Sequence, residues 1–522
     1  MTDINAIQFP SASFRADSKT NIAIQVYGRR FLADQTPIEY LSEFLLVFNS
    51  KKSEKKVTTD ELKMNQSENS FNVSEDSRYY FPKSRLPLKL FSFFSQSKLD
   101  TRHPIHQQSF LDALDELGAK TQRGLSDAEK NNLVNTIQNL LYGFVGIANN
   151  RTWSTYSFMP ITPSFLGREV TWPHSSKEYG TWSDSAEDFQ LDRHNFMARG
   201  GEALFLQIAF LFTNDIAIKS TLHKIEQNAA YQHLEFNLPN LKQKLENALI
   251  QLLKDETHQL EEICHFVEST LSEYDIEDND NRSATLATIP KSYIIEGFLF
   301  ANEMLNLLGS KISKLEKIEL LQQLCVLQVL RSIMARSTQI DQNNHTTENY
   351  HGNYAWIVCN PSATTKDNVR KLAESSFSKS EEIIYRVMRS VGKEKNLKPS
   401  DYRQVDKHSS DVFRRMSKNI GLVIPHKGSG QRFVLTPSLI RLFVYSLIES
   451  GTRIKLNDFL SRIYTHFGIA IEGQQIQEAI AWQLERNDDS VLNIDVSWVE
   501  EGLKQSGLLI ELSDAISIVN NP

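Results

Sequence analysis

The stretch Arg414–Thr436, RRMSKNIGLVIPHKGSGQRFVLT, contains a helix end, a helix stop and a hairpin in succession. Val412, Phe413 and Met416 lie on one apolar face of a short helix that Ser409 or Ser410 can cap. The other side of that helix presents Arg414, Arg415 and Lys418. Gly421 ends it, because glycine enters left-handed backbone without a Cβ penalty. Leu422–Ile424 and Phe433–Leu435 are short apolar runs flanking a polar segment rich in glycine. They predict a hairpin whose tip carries Lys427 and whose far side carries Arg432.

Upstream, Ser378 and Glu381 predict a boxed helix with Ile384, Val387, Met388 and Val391 facing inward. Arg386, Arg389 and Lys393 fall on a different stripe, and Pro399–Ser400 start a further short element. Helix, helix, then a basic hairpin resembles a winged helix-turn-helix. The resemblance implies a helix in the major groove and a wing on the backbone. The expected contacts to double-stranded DNA are Arg386, Arg389, Lys393, Arg414, Arg415, Lys418, Lys427 and Arg432. Phosphate contacts of this kind need no base code. The alternative is a protein-docking module whose cations are only solvated.

Charge is unevenly spread. The 522 residues carry a net −7, yet residues 366–432 carry +8 and residues 433–522 carry −6. The acidic segment predicts a second unit of similar type. Thr436–Pro437 start a helix ending near Gly451, and Arg453–Lys455 suit a strand. Asn457 caps a helix bearing Phe459, Leu460, Ile463 and Phe467, and Gly473 precedes another bearing Ile476, Ile480 and Leu484. A last helix starts near Asp495 and a final hairpin uses Leu508–Leu512 and Ala515–Val519. Glu478 and Glu485 would be repelled by phosphates, so this unit is expected to contact protein.

The remainder reads as mainly helical. Thr36, Pro37 and Glu39 open a helix whose apolar positions are Ile38, Leu41, Phe44, Leu45 and Phe48. Ser126 and Glu129 box another, with Leu133, Ile137, Leu140, Leu141 and Phe144 expected inward. Leu241, Leu245, Leu249, Leu252 and Leu253 form one further stripe, and Ile318, Leu321, Leu324, Cys325 and Val329 form another. The expected fold is thus mainly α with small β-hairpins: a helical body followed by two tandem winged-helix-like units. The expected divisions are 1–150 (with a polar insertion at 49–78), 151–340, a basic unit at 366–436 and an acidic unit at 437–522. Three distant cysteines give neither a disulfide framework nor a zinc cluster. The longest apolar run, Ala203–Phe212, is too short to span a bilayer, so a cytoplasmic protein without membrane contact is expected.

No catalytic, metal or cofactor set emerges. His103 and His106 have no companion acid or cysteine nearby, and HTTENYHGN, with His345 and His351, only faintly suggests a metal nuclease. Gly200–Gly201 ahead of an apolar helix offers backbone N–H groups to an anion, or simply a turn with Glu202 near the helix start. Two stretches, GRRFLADQTPIEYLSEFLLVF (Gly28–Phe48) and ARGGEALFLQIAFLF (Ala198–Phe212), together with the C-terminal hairpin pattern, resemble accessory proteins of multi-gene bacterial antiviral defence systems, of the Druantia or phosphorothioation-linked kind. That resemblance carries no catalytic motif. It implies a non-enzymatic DNA-binding or adaptor subunit acting beside a large helicase or ATPase; an unrecognised nuclease and a transcription regulator are the alternatives.

Overall fold

A computed structural model describes residues 8–10, 22–29, 31–54, 69–98, 104–121, 124–148, 151–172, 179–189, 199–254, 258–276, 284–341, 354–484, 494–513 and 516–522. Among these residues the protein is mainly helical, with six small sheets of two or three strands. The calls on His103, His345, His351 and Glu485 lie outside the described residues. Two compact units are discontinuous in sequence. One comprises 1–37, 203–249 and 287–522, and the other 38–202 and 250–286.

The second of these units is built on the helix Pro37–Asn49, buried from Ile38 through Phe48. Glu39 and Glu43 are buried with it, and Arg151 answers Glu39 at 2.6 Å. The helix Leu86–Phe93 is also buried; its Lys89 donates to the carbonyls of Ser154 and Arg168. Burial pushes that ammonium group down to about 7. Ser126 makes the expected capping box with Glu129. The inward face of that helix is Val134 and Leu141, however, while Leu133 and Leu140 are exposed. Leu141 is buried as expected, but Val134, next to Leu133, takes the inward position, because adjacent apolar residues lie on neighbouring stripes that periodicity alone does not separate. His106 is buried against Trp153, Trp172, Trp182 and Phe189, with Ser185 at 3.1 Å, so its role is packing. Gly201 has a steric duty: a Cβ there would sit 2.3 Å from the Tyr40 carbonyl and 2.6 Å from Glu43. Close helix packing, not anion capture, accounts for that glycine.

The first unit contains the segments that matter below, labelled here in chain order. They are α1 (Ile22–Tyr27), α2 (Gly200–Leu211, of this unit from Ala203), α3 (Ile216–Glu226), α4 (Leu238–Leu253, of this unit to Leu249), α5 (Ile294–Gly309), α6 (Lys314–Ile340) and β1 (Trp356–Ile357). Next come α7 (Asn368–Glu394), α8 (Tyr402–Lys407), α9 (Ser410–Asn419), β2 (Val423–Ile424) and β3 (Arg432–Phe433). The C-terminal elements are α10 (Pro437–Leu447), β4 (Arg453–Lys455), α11 (Leu456–Phe467), β5 (Ile469–Ala470), α12 (Gly473–Leu484), α13 (Ser497–Gln505), β6 (Leu509–Ser513) and β7 (Ile516–Asn520). The α6 helix is the one described helix long and apolar enough to cross a membrane, but 83% of that window is buried inside the protein.

The expected helix start at Ser378 is replaced by one continuous helix from Asn368, because nothing in 368–378 breaks it. Ser378 instead bonds the carbonyl of Glu374. Strands β2 and β3 pair antiparallel as a short hairpin, after a left-handed Gly421. Trp356, Phe377, Phe413 and Phe433 close the core beneath it, with Trp356 and Phe433 stacked at 5.3 Å. Strand β1 also pairs in parallel with β5, tying this segment to the C-terminal elements. In the C-terminal sheet the order is β4–β7–β6, flanked by α11 and α13, on which α10 packs.

Candidate nucleic-acid interface

The eight cations singled out in the sequence all lie on α7, α9 or the β2–β3 hairpin, but they do not form one free surface. Arg386 donates to both oxygens of Asp341, at 3.1 and 2.5 Å, and to Glu382 at 2.7 Å. Arg389 holds Asp406 bidentately at 2.8 and 2.7 Å. Arg414 donates to Glu381 at 2.6 Å. Arg415 pairs with Asp34 and donates to the Ala33 carbonyl at 3.1 Å. Arg432 is buried and serves the carbonyls of Pro361 and Gly430. Its place in the expected contact set therefore gives way to a structural role at the base of the hairpin.

Lys393, Lys418 and Lys427 have no carboxylate partner among the described residues. Burial and the nearby Arg414 push Lys418 down, with Glu381 pulling the other way. Lys393 and Lys427 are exposed. The ion pairs of Arg414 and Arg415 are themselves exposed, and such pairs contribute at most about 1 kcal/mol. Phosphates can compete for them at little cost. The bidentate pairs of Arg386 and Arg389 are less open and better fixed.

Sequence reading missed the next cations along the chain. Lys395, Lys398, Arg403 and Lys407 are exposed on the turn after α7 and on α8, and none has a carboxylate partner among the described residues. With Lys393 they make a continuous run whose charge is not spent internally. Glu394 and Asp401 lie in the same run, and Asp401 accepts from the Lys398 backbone N–H at 3.1 Å. In the sequence Lys395, Lys398, Arg403 and Lys407 form a Lys-rich segment lying between the two helices of the groove-binding pattern, outside the positions that pattern assigns to contacts.

An aromatic feature borders the run. The Arg389 guanidinium lies over the ring of Tyr385 at 4.0 Å and over the ring of Tyr402 at 4.3 Å. Gly392 permits this, since a Cβ there would meet the Tyr402 ring at 2.6 Å. Tyr385, Arg386, Arg389 and Lys393, together with Glu382 and Glu394, line a groove of about 580 Å³ along α7. Among the described residues no group of His, Cys, Asp and Glu is arranged to hold a metal ion. Comparison of the chain with protein-family models, curated proteins and solved structures found no match.

Proposed function

We propose that the protein is a non-enzymatic nucleic-acid-binding adaptor, with α7–α9 and the β2–β3 hairpin acting as a winged-helix variant on duplex DNA. The exposed cations Lys393, Lys395, Lys398, Arg403 and Lys407, without carboxylate partners among the described residues, carry this reading. A backbone-binding surface needs uncompensated charge more than it needs any one geometry. Lys427 at the hairpin tip adds a sixth cation at the wing position. The reading extends to a bacterial antiviral defence system in which the chain works beside a helicase or ATPase.

The full chain, which keeps Trp356 and β5 in the core, is the form to assay. If five phosphates are neutralised, log affinity for duplex DNA should fall against log salt with a slope near −0.9 × 5, about −4.5. Reversing Lys393, Lys395, Lys398, Arg403 and Lys407 to glutamate should weaken binding at least about tenfold and flatten that slope. Arg414→Ala with Arg415→Ala should do less, because those guanidiniums are already engaged. Binding that survives the reversal unchanged removes the basis of the proposal.

The acidic segment supports a second role, docking of a protein with a basic surface. Its element order, α10–β4–α11, then α13–β6–β7 with strand order β4–β7–β6, suits a second winged-helix variant. Glu449, Glu501 and Glu511 are exposed there. Reversing all three to lysine is expected to abolish salt-sensitive co-purification with the helicase or ATPase subunit while leaving duplex affinity intact. Retained co-purification counts against the adaptor role alone.

A further inference from the structure

We propose that the groove along α7 holds an unstacked base of single-stranded nucleic acid on the ring of Tyr385, with flanking phosphates on Lys393 and the Lys395–Lys398 turn. The inference rests on the nucleic-acid reading above and names the substrate it favours: a duplex that continues into a single strand.

Tyr385 is 50% exposed, the one aromatic among the exposed large hydrophobic side chains of the described residues. A solitary exposed apolar residue needs no explanation, but this one is held in place. Arg389 packs on it, Asp406 fixes Arg389 through two bonds, and Tyr402 packs on the same guanidinium. Gly392 makes room for Tyr402. An exposed ring is thus pre-positioned, so little ordering entropy is lost when a ligand stacks on it.

Tyr385, Arg389 and Lys393 recur at four-residue spacing and so share one stripe of α7. The stripe leads from the ring to the uncompensated lysines of the following turn. A ring followed by a line of cations is the arrangement that single-strand binders use: stacking for the bases, charge for the backbone. Duplex bases are stacked on each other and offer no face to such a ring, whereas an unpaired base does. The two guanidiniums in the groove are spent on Asp341, Glu382 and Asp406, so they shape the platform while the lysines supply the net charge.

The test uses the full chain with a blunt duplex and the same duplex bearing a thymidine tail that contains 2-aminopurine. The tailed probe should bind at least about fivefold more tightly, the low end for one base stacked on an aromatic side chain. Its 2-aminopurine fluorescence should be quenched on binding. Tyr385→Ala should erase both the preference and the quench while keeping blunt-duplex affinity within about twofold. Tyr385→Trp and Tyr385→Phe, which keep a ring, should retain them, and this rescue separates stacking from a folding defect. Equal affinity of the wild-type protein for both probes overturns the inference, as does a preference that survives Tyr385→Ala. Failure to bind either probe instead overturns the underlying nucleic-acid reading.

Discussion

Arg331→Met is expected to destabilise the unit containing α5, α6 and α11 by about 3–5 kcal/mol, the usual result of removing one partner from a buried ion pair. Arg331 and Glu303 are both fully buried. The guanidinium donates to Glu303 through two bonds of 2.8 Å, to Gln328 at 2.6 Å and to the His466 carbonyl at 2.8 Å. It also lies 5.0 Å from the ring centre of Phe467. One side chain of α6 thereby engages α5 and the end of α11. Methionine fills similar space but leaves the Glu303 carboxylate buried with His466 as its remaining polar partner. Urea unfolding of the full chain measures the loss. Arg331→Met combined with Glu303→Leu should recover a large part of it, since no unpaired charge then stays buried. A single variant within about 1 kcal/mol of wild type would mean that the pair contributes little to holding α11 on α5 and α6.

Local chemistry was legible in the sequence wherever a residue acts on its own neighbours. The start at Pro37, the box of Ser126 with Glu129, the stop at Gly421 and the β2–β3 hairpin all depend on contacts within a few residues. So do the helices of the acidic segment and its final hairpin, β6 with β7, although α11 starts at Leu456 with Lys455 at its cap position, ahead of the Asn457 cap expected. The continuous α7 was not legible, because a capping-box pattern inside a helix looks the same as one at its start. The face of the helix Asp127–Tyr142 was legible only in part: Leu141 is buried as expected, but Val134 is buried in place of Leu133 and Leu140, which are exposed.

The candidate site divides along the same line. Its cations were visible as residues, but their availability was not. Asp341 lies 45 residues from Arg386, and Asp34 lies 381 residues from Arg415. Only the folded chain shows that these charges are met internally while Lys395, Lys398, Arg403 and Lys407 remain open. The Tyr385–Arg389–Tyr402 arrangement combines helix spacing, which a sequence displays, with the packing of α8 on Gly392, which it does not. The buried polar network around Arg331 joins residues from α5, α6 and α11 and gave no linear signal at all.

That network also predicts how the fold responds to acid. His466 Nδ1 donates to Glu303 at 2.8 Å, and His466 Nε2 lies 3.0 Å from His233 Nε2, so one proton serves both rings. Burial, together with His466 and Arg462, pushes His233 down from 6.5 to about 2. Burial also lowers His466, against the pull of Glu303. Because the folded pKa values lie below the unfolded ones, the unfolded chain takes up protons first as pH falls. Stability is therefore fully present above about pH 6.5 and is lost progressively below it. Each such group contributes up to about 1.4 kcal/mol per pH unit in that window, less for His233 because it is partly exposed. Glu303 adds to the loss at lower pH: burial alone would raise it, but Arg331 and His466 hold it below the ordinary carboxylate range. Urea midpoints measured from pH 7.5 to 4.5 should fall steadily for the wild-type chain. His233→Gln keeps a hydrogen-bonding group beside His466 and removes one titrating ring, so its midpoint should start slightly lower and fall less steeply. Parallel curves for the two proteins would place the acid sensitivity outside the joint that His233 and His466 form between α11 and the segment after α3.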